Sequence, residues 1–195
     1  MEQGASRQMQ GVEPRQALAA SLPSPPEGER LEPRELFQLH FDYVWNALRR
    51  LGVPPGDLED LAHDTFLQVF RQYSQYDPGR PIKPWLFGFA FRMASDHRRR
   101  LARRGESTLD VELADPGASP LDSLVVGERL KLAQAALDAI ELDRRGVFIL
   151  HQLDGCPIPE VAESLGILVA TAYSRLRLAR EEFARAAQRL ERRQR

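Results

Sequence analysis

Residues 156–180 read CPIPEVAESLGILVATAYSRLRLAR and predict two short helices joined by a tight turn. Pro159 suits a first helical turn, and apolar residues recur at helical spacing up to Gly166, which can adopt the positive φ that ends a helix. The second helix begins near Val169, and its apolar face consists of Ala172, Leu176 and Ala179. This pattern is typical of a helix-turn-helix, whose second helix can lie in the major groove of DNA.

The outward face of this second helix carries hydroxyl groups and arginines. From Thr171 to Arg180 every charged side chain is an arginine, whereas a helix face that is merely solvated normally carries both signs. Guanidinium groups bind phosphates and the O6/N7 edge of guanine, and hydroxyl groups reach either phosphate or base. The candidate DNA-binding residues on this face are Thr171, Tyr173, Ser174, Arg175, Arg177 and Arg180. A helical hairpin that only packs against a core has the same outline and remains the alternative.

The composition limits the class of protein. The 195 residues are 43% hydrophobic and include no apolar run of about 18 residues, so one or two small domains without a transmembrane segment are predicted. The amino terminus lacks a basic segment followed by an apolar core, and we therefore expect no secretion signal. The single cysteine, Cys156, excludes an internal disulfide framework and fits a reducing cytoplasm.

The net charge of −1 conceals two basic blocks. Residues 92–104 contain six arginines against Asp96 alone, and residues 171–195 contain eight arginines against three glutamates. Residues 105–127 contain acidic side chains and no basic one. Because positive charge is concentrated at two places, both blocks are candidate phosphate-binding surfaces.

Hydrophobic periodicity divides the chain into four regions. They are a disordered extension (1–31), a helical domain (32–104), a flexible acidic linker (105–121) and a second helical domain that contains the helix-turn-helix (122–195). In the first domain we expect three helices, the first ending at Gly52 and the others spanning about 57–73 and 84–103. No segment predicts a convincing strand. The predicted fold is all-α, with two small helical domains joined by a flexible acidic linker.

Acidic residues crowd the start of the second predicted helix, where Asp57, Glu59, Asp60 and Asp64 surround His63. Carboxylates in a first turn also complement the helix dipole, which explains part of this cluster. A metal site would need a further His or Cys, and none completes the set, so we expect no metal. A docking face for another protein is the favoured interpretation.

Aromatic residues and arginines occur together on the third predicted helix. Trp85 and Phe89 are assigned to the core, whereas Phe87 and Phe91 lie on another side of the helix, which continues to Ser95 and Arg98. Such a surface suits single-stranded or melting nucleic acid, because unstacked bases need stacking platforms and the backbone needs cations. The preceding loop contributes Tyr76 and Arg80.

Three motifs in this order resemble a bacterial RNA polymerase sigma factor of the small extracytoplasmic-function (ECF) class. DLEDLAHDTFLQVFRQ (57–72) resembles the segment that docks on the clamp helices of the polymerase β′ subunit. KPWLFGFAFRMASDHRRR (83–100) resembles the segment that recognises and opens the minus-ten element. The helix-turn-helix resembles the domain that binds the minus-thirty-five element and packs on the β flap. The resemblance covers about residues 33–190.

The resemblance implies a cytoplasmic specificity subunit that directs promoter recognition, DNA melting and transcription initiation, without catalytic residues or cofactors of its own. The polymerase-binding positions it implies are Asp57, Asp60, His63 and Asp64. The minus-ten positions are Tyr76, Arg80, Phe87, Phe91, Arg92, Ser95, Arg98 and Arg99. The resemblance adds Leu178 to the DNA-binding positions of the helix-turn-helix. At the positions of Tyr173 and Leu178 the family often has a basic residue, and the difference implies an altered preference for the minus-thirty-five sequence. An anti-sigma factor is a further possible partner, and the acidic linker is implied to enter the polymerase channel.

Two other classes of protein remain as alternatives. One is a stand-alone helix-turn-helix regulator whose amino-terminal helices serve dimerisation or sensing, although it assigns no role to the acidic helix or the first arginine block. The other is an enzyme, which the sequence does not favour. The four histidines are scattered, and no HExxH motif, phosphate-binding loop or dinucleotide motif is present.

Overall fold

The computed structural model describes residues 31–105 and 120–194, and side chains within 31–105 and 129–193. These residues form helices, with no strand in the described ranges, and the predicted all-α class is confirmed. The predicted extension (1–31, apart from Leu31) and residues 106–119 of the predicted acidic linker lie outside the described residues.

The first domain consists of α1 (Pro33–Arg50), α2 (Leu58–Gln72) and α3 (Ile82–Arg104). Short 3-10 turns, Pro55–Asp57 and Tyr73–Gln75, flank α2. A capping box between Glu32 and Glu35 starts α1, and Gly52, with φ of 88°, follows its end. The third helix begins two residues earlier than predicted, at Ile82, and ends before Gly105, whose φ is 74°.

The core of this domain lies among the three helices. From α2 the fully buried residues include Leu58, Ala62, Phe66 and Val69, as the spacing predicted. Phe70, predicted to be buried with them, is half-buried and packs against the core. The opposite face of α2 is left in solvent, and Asp60, His63 and Asp64 lie there, whereas Asp57, also predicted for docking, is half-buried in the turn before α2.

The second domain consists of α4 (Pro120–Asp138), α5 (Leu142–Phe148), α6 (Ile158–Leu165) and α7 (Val169–Gln194). One π-helical turn, Ile149–Leu153, continues α5. The helix-turn-helix is α6 and α7, and Gly166 ends α6 with φ of 65° as predicted. The predicted inner face of α7 is fully or almost fully buried: Ala172 at 0%, Leu176 at 4% and Ala179 at 0% exposure.

The two domains lie against each other, and α3 of the first packs on α6 of the second. Buried residues from both domains belong to one continuous apolar cluster. The linker prediction concerned only how the domains are joined, and the sequence carried no signal for this contact. Its consequence is that the arginine-rich helix α3 meets the helix-turn-helix directly.

Candidate nucleic-acid and polymerase interfaces

The amino-terminal end of α7 projects into solvent. Leu168, in the turn before the helix, is 77% exposed, and Tyr173 is 59% exposed. Thr171 is half-buried and Ser174 is exposed, with its hydroxyl donating to the carbonyl of Ala170 at 3.0 Å. This end is the part of a recognition helix that contacts base edges in a helix-turn-helix.

The arginines of α7 have partners within the protein. Arg175 Nη2 lies 2.7 Å from Asp143 Oδ2 on α5, in a pair that is partly buried. Arg177 pairs with Glu181 one turn along the helix at 2.7 Å, and Arg180 donates to Gln152 Oε1 at 2.9 Å. Exposed pairs of the Arg177 kind stabilise a helix by about 0.5 kcal/mol at most, so this guanidinium can exchange its partner for a phosphate. Leu178 is half-buried.

The predicted minus-ten residues occupy very different environments. Arg92, Arg98 and Arg99 are exposed along the outer part of α3, and Arg92 lies 4.5 Å from the centroid of the Phe89 ring. Partial burial lowers the pKa of Arg92. Ser95 donates to the carbonyl of Phe91 at 2.8 Å, and Tyr76 is 8% exposed with a hydroxyl that donates to the Arg80 carbonyl.

The position of Phe87 on α3 differs from the prediction. The sequence placed it on a side of the helix separate from the core, but its side chain is 0% exposed. Helix α3 is covered from two directions, by its own domain and by α6, so more of its circumference is buried than a single amphipathic stripe predicts. In this arrangement Phe87 contributes to the core and is not presented to DNA.

The contact between α3 and the second domain is close. A Cβ added to Gly88 would lie 2.5 Å from the carbonyl oxygen of Ser164 on α6. A Cβ added to Gly146 on α5 would lie 2.7 Å from the ring of Phe91. Glycine at these two positions is therefore what allows the helices to approach. Phe91, predicted to stack on melted bases, is half-buried beneath the second domain.

Polar contacts reinforce the same boundary. Arg80 forms an ion pair with Glu163 of α6. The hydrogen bond that Arg80 donates to this carboxylate, together with the negative charge of the carboxylate, raises the pKa of the arginine above its usual value. Asp154, after the π turn, accepts a hydrogen bond from the Tyr43 hydroxyl at 2.9 Å and pairs with Arg50 at 3.2 Å. Burial, together with the negative charge of Asp154, raises the pKa of Tyr43, so this hydroxyl remains a donor.

The outward face of α2 is acidic and apolar together. Asp60, His63 and Asp64 are exposed, and the His63 ring lies 5.2 Å from that of Phe41 on α1. Leu67, one turn beyond Asp64, is 54% exposed on this face. Sequence reasoning missed Leu67, although its spacing from Asp60 and Asp64 could have identified it. Asp57 Oδ2 lies 3.0 Å from His97 Nε2, which links it to α3.

The described residues bring together no group of three or more His, Cys, Asp or Glu side chains suited to a metal ion. Nor is any of the described helices long and apolar enough to cross a membrane.

Two helical domains, each bearing exposed arginines and one carrying a projecting recognition helix, define a bipartite DNA-binding protein. Comparison with known proteins specifies the class. Residues 36–104 match the family model of sigma-70 region 2, and residues 130–183 match that of sigma-70 region 4. The RNA polymerase sigma factor CnrH of Cupriavidus metallidurans is 32% identical over 159 residues, a span of 77% of this chain and 83% of that protein.

A second relative and a solved structure agree with this assignment. The ECF RNA polymerase sigma factor SigE of Mycolicibacterium smegmatis is 30% identical over 156 residues, covering 76% of this chain and 59% of that protein. The sigma factor RpoE of Bartonella quintana, whose structure was solved in complex with the anti-sigma factor NepR, has the same fold. The two structures superimpose with a TM-score of 0.60 at 21% sequence identity, and the match covers 80% of this chain and 96% of RpoE. The chain belongs to the ECF class of the sigma-70 family of RNA polymerase sigma factors, which direct transcription initiation.

Proposed function

We propose that the first domain (32–104) binds core RNA polymerase through the outward face of α2 and the minus-ten element through α3. The second domain (122–195) binds the minus-thirty-five element through α7. The observation that carries this division is the face formed by Asp60, His63, Asp64 and Leu67, which is exposed although Leu67 is apolar. A polymerase subunit needs such a face, and the match of residues 36–104 to sigma-70 region 2 favours polymerase over a second copy of this chain as the partner.

Asp60→Arg with Asp64→Arg tests the docking face. Both carboxylates are exposed, so the double variant is expected to keep its circular dichroism spectrum and to lose core polymerase in a pull-down. Asp42→Arg, which reverses an exposed carboxylate on α1, is the matched control and should bind normally. Retention of core polymerase by the double variant would remove α2 from the interface.

The closed arrangement has to open before both promoter elements can be bound. Elements near minus ten and minus thirty-five lie about 25 base pairs apart, on the order of 85 Å at about 3.4 Å per base pair. A compact chain of 195 residues has a radius of gyration of only about 16 Å. We therefore assign the contact between α3 and α6 to a state that precedes promoter binding. Separation of the two helices exposes Phe91 and frees Arg80, which is already exposed, from Glu163.

The arginines divide into two roles in this proposal. Arg98 and Arg99 of α3 and Arg177 and Arg180 of α7 bind promoter phosphates, since all four are exposed. Arg175 positions α7 against α5 through Asp143. The bond-forming chemistry belongs to the polymerase, and no catalytic step is assigned to this chain.

Two further interactions are proposed on the same assignment. The Bartonella relative was solved with the anti-sigma factor NepR, and we propose that an anti-sigma factor also holds this chain inactive, in the cytoplasm where the polymerase works. The acidic linker is proposed to enter the polymerase channel, where its carboxylates stand in for phosphates.

In vitro transcription tests the whole proposal. The full chain is added to core polymerase with a genomic DNA library, and start sites are mapped from the transcripts. Start sites that share one upstream element near minus ten and another near minus thirty-five are the expected result. A chain that binds DNA but yields no polymerase-dependent start sites would favour the regulator alternative.

A further inference from the structure

Apolar side chains cluster at the start of the recognition helix. Leu168, Val169 and Tyr173 are 77%, 43% and 59% exposed. Only three other large apolar side chains are comparably exposed among the described residues, namely Leu67, Leu130 and Leu153. Half of the exposed large apolar residues in the described ranges thus lie within a stretch of six, and such a concentration marks a binding surface.

The position of this cluster identifies what it contacts. Residues at the amino-terminal end of the second helix of a helix-turn-helix lie closest to base edges in the major groove. The arginines stand farther along α7, and Arg175 is held at 2.7 Å by Asp143. The large side chains exposed at this end are therefore apolar, beside the hydroxyl of Ser174, and the positive charge lies farther along the helix, where phosphates pass.

We propose that Leu168, Val169 and Tyr173 recognise the 5-methyl groups of thymines in the minus-thirty-five element. Thymine is the base that presents a methyl group in the major groove, and apolar side chains distinguish it by contact with that methyl. The inference rests on the proposed function, because it needs α7 to enter the groove. In this proposal the methyl contacts are the main source of base specificity, and Arg175, which pairs with Asp143, reads no base.

The test uses the holoenzyme and a promoter obtained by start-site mapping. Each thymine of the minus-thirty-five element is replaced in turn by deoxyuridine, which lacks only the methyl group and keeps its hydrogen-bonding edges. Promoter affinity is expected to fall at one or more positions by a factor of about four, from the free energy of burying one apolar carbon. Unchanged affinity at every thymine, or an element without thymine on either strand, overturns the proposal.

Variants connect the methyl effect to the named residues. For each substituted thymine, the affinity for the thymine promoter is divided by the affinity for the uracil promoter. Leu168→Ala is expected to bring this ratio close to one at one thymine, and Tyr173→Ala at another. Leu153→Ala, which truncates a leucine that is 47% exposed outside α7, should leave the ratio unchanged. A ratio that persists in both α7 variants overturns the proposal. Loss of holoenzyme assembly in these variants also overturns it, because the cluster would then be a polymerase contact. Failure of the wild-type chain to direct any start site is a different result, and it overturns the proposed function and this inference together.

Discussion

Gly88→Ala is expected to open the molecule without weakening either domain. The added Cβ would lie 2.5 Å from the carbonyl oxygen of Ser164, and backbone atoms of α6 can relieve this contact only by moving away. Overpacking of this kind costs about 1 to 3 kcal/mol. Alanine also favours the α3 helix over glycine by about 1 kcal/mol, but α3 is helical in both the open and the closed states, so this gain does not affect their ratio.

The magnitude follows from the ratio of the two states. A change of about 1 to 3 kcal/mol shifts an equilibrium by about 5- to 150-fold. If the closed state predominates in the free protein, the apparent affinity for DNA that carries both promoter elements rises in proportion to the open fraction. Small-angle X-ray scattering should show a larger radius of gyration for the variant, and titration with DNA that carries both promoter elements should show tighter binding.

Two further substitutions control for local effects. Gly56→Ala adds a methyl group where no atom lies within 4 Å, so it should change neither the radius of gyration nor the affinity. Gly146→Ala works from the opposite side of the boundary, because its Cβ would lie 2.7 Å from the Phe91 ring, and it should open the molecule as Gly88→Ala does. If Gly88→Ala and Gly146→Ala both leave the scattering and the affinity at wild-type values, the proposed opening is refuted.

Two other predictions concern single side chains. Arg175→Ala and Asp143→Ala should each weaken promoter binding modestly. Because each substitution removes the same partly exposed ion pair, a double-mutant cycle should give a coupling free energy of about 0.5 to 1 kcal/mol. Independent effects of the two substitutions would indicate that Arg175 contacts DNA directly. Burial, with a smaller contribution from Lys83, lowers the pKa of His40 from 6.5 to about 4. The unfolded chain therefore binds the proton first as pH falls, and roughly 1 to 2 kcal/mol of stability should be lost between about pH 7.5 and pH 5. Denaturant titrations at the two pH values should show a smaller loss for His40→Gln than for the wild type and the exposed His63→Gln, and equal losses in all three would contradict the assignment.

Local pattern was sufficient to predict the helices of the first domain, the helix-turn-helix and the inward face of α7. The spacing of Ala172, Leu176 and Ala179 predicted the buried side of α7, because a helix in contact with one neighbour buries one stripe. Gly166 marked the turn, because glycine has no Cβ and adopts a positive φ without a steric clash. The order of the motifs also indicated the family, which the comparisons confirmed.

The tertiary structure decided which side chains are available. Phe87 and Phe91 carry the same chemistry on the same helix, yet the first is fully buried and the second half-buried beneath the other domain. Arg175 is directed to Asp143 by a contact 32 residues away in the sequence. Hydrophobic periodicity describes one helix at a time, whereas the exposure of a side chain depends on every element that packs around its helix. The close approach of the domains at Gly88 and Gly146 brings together segments that are distant in the sequence, so only the tertiary structure shows it.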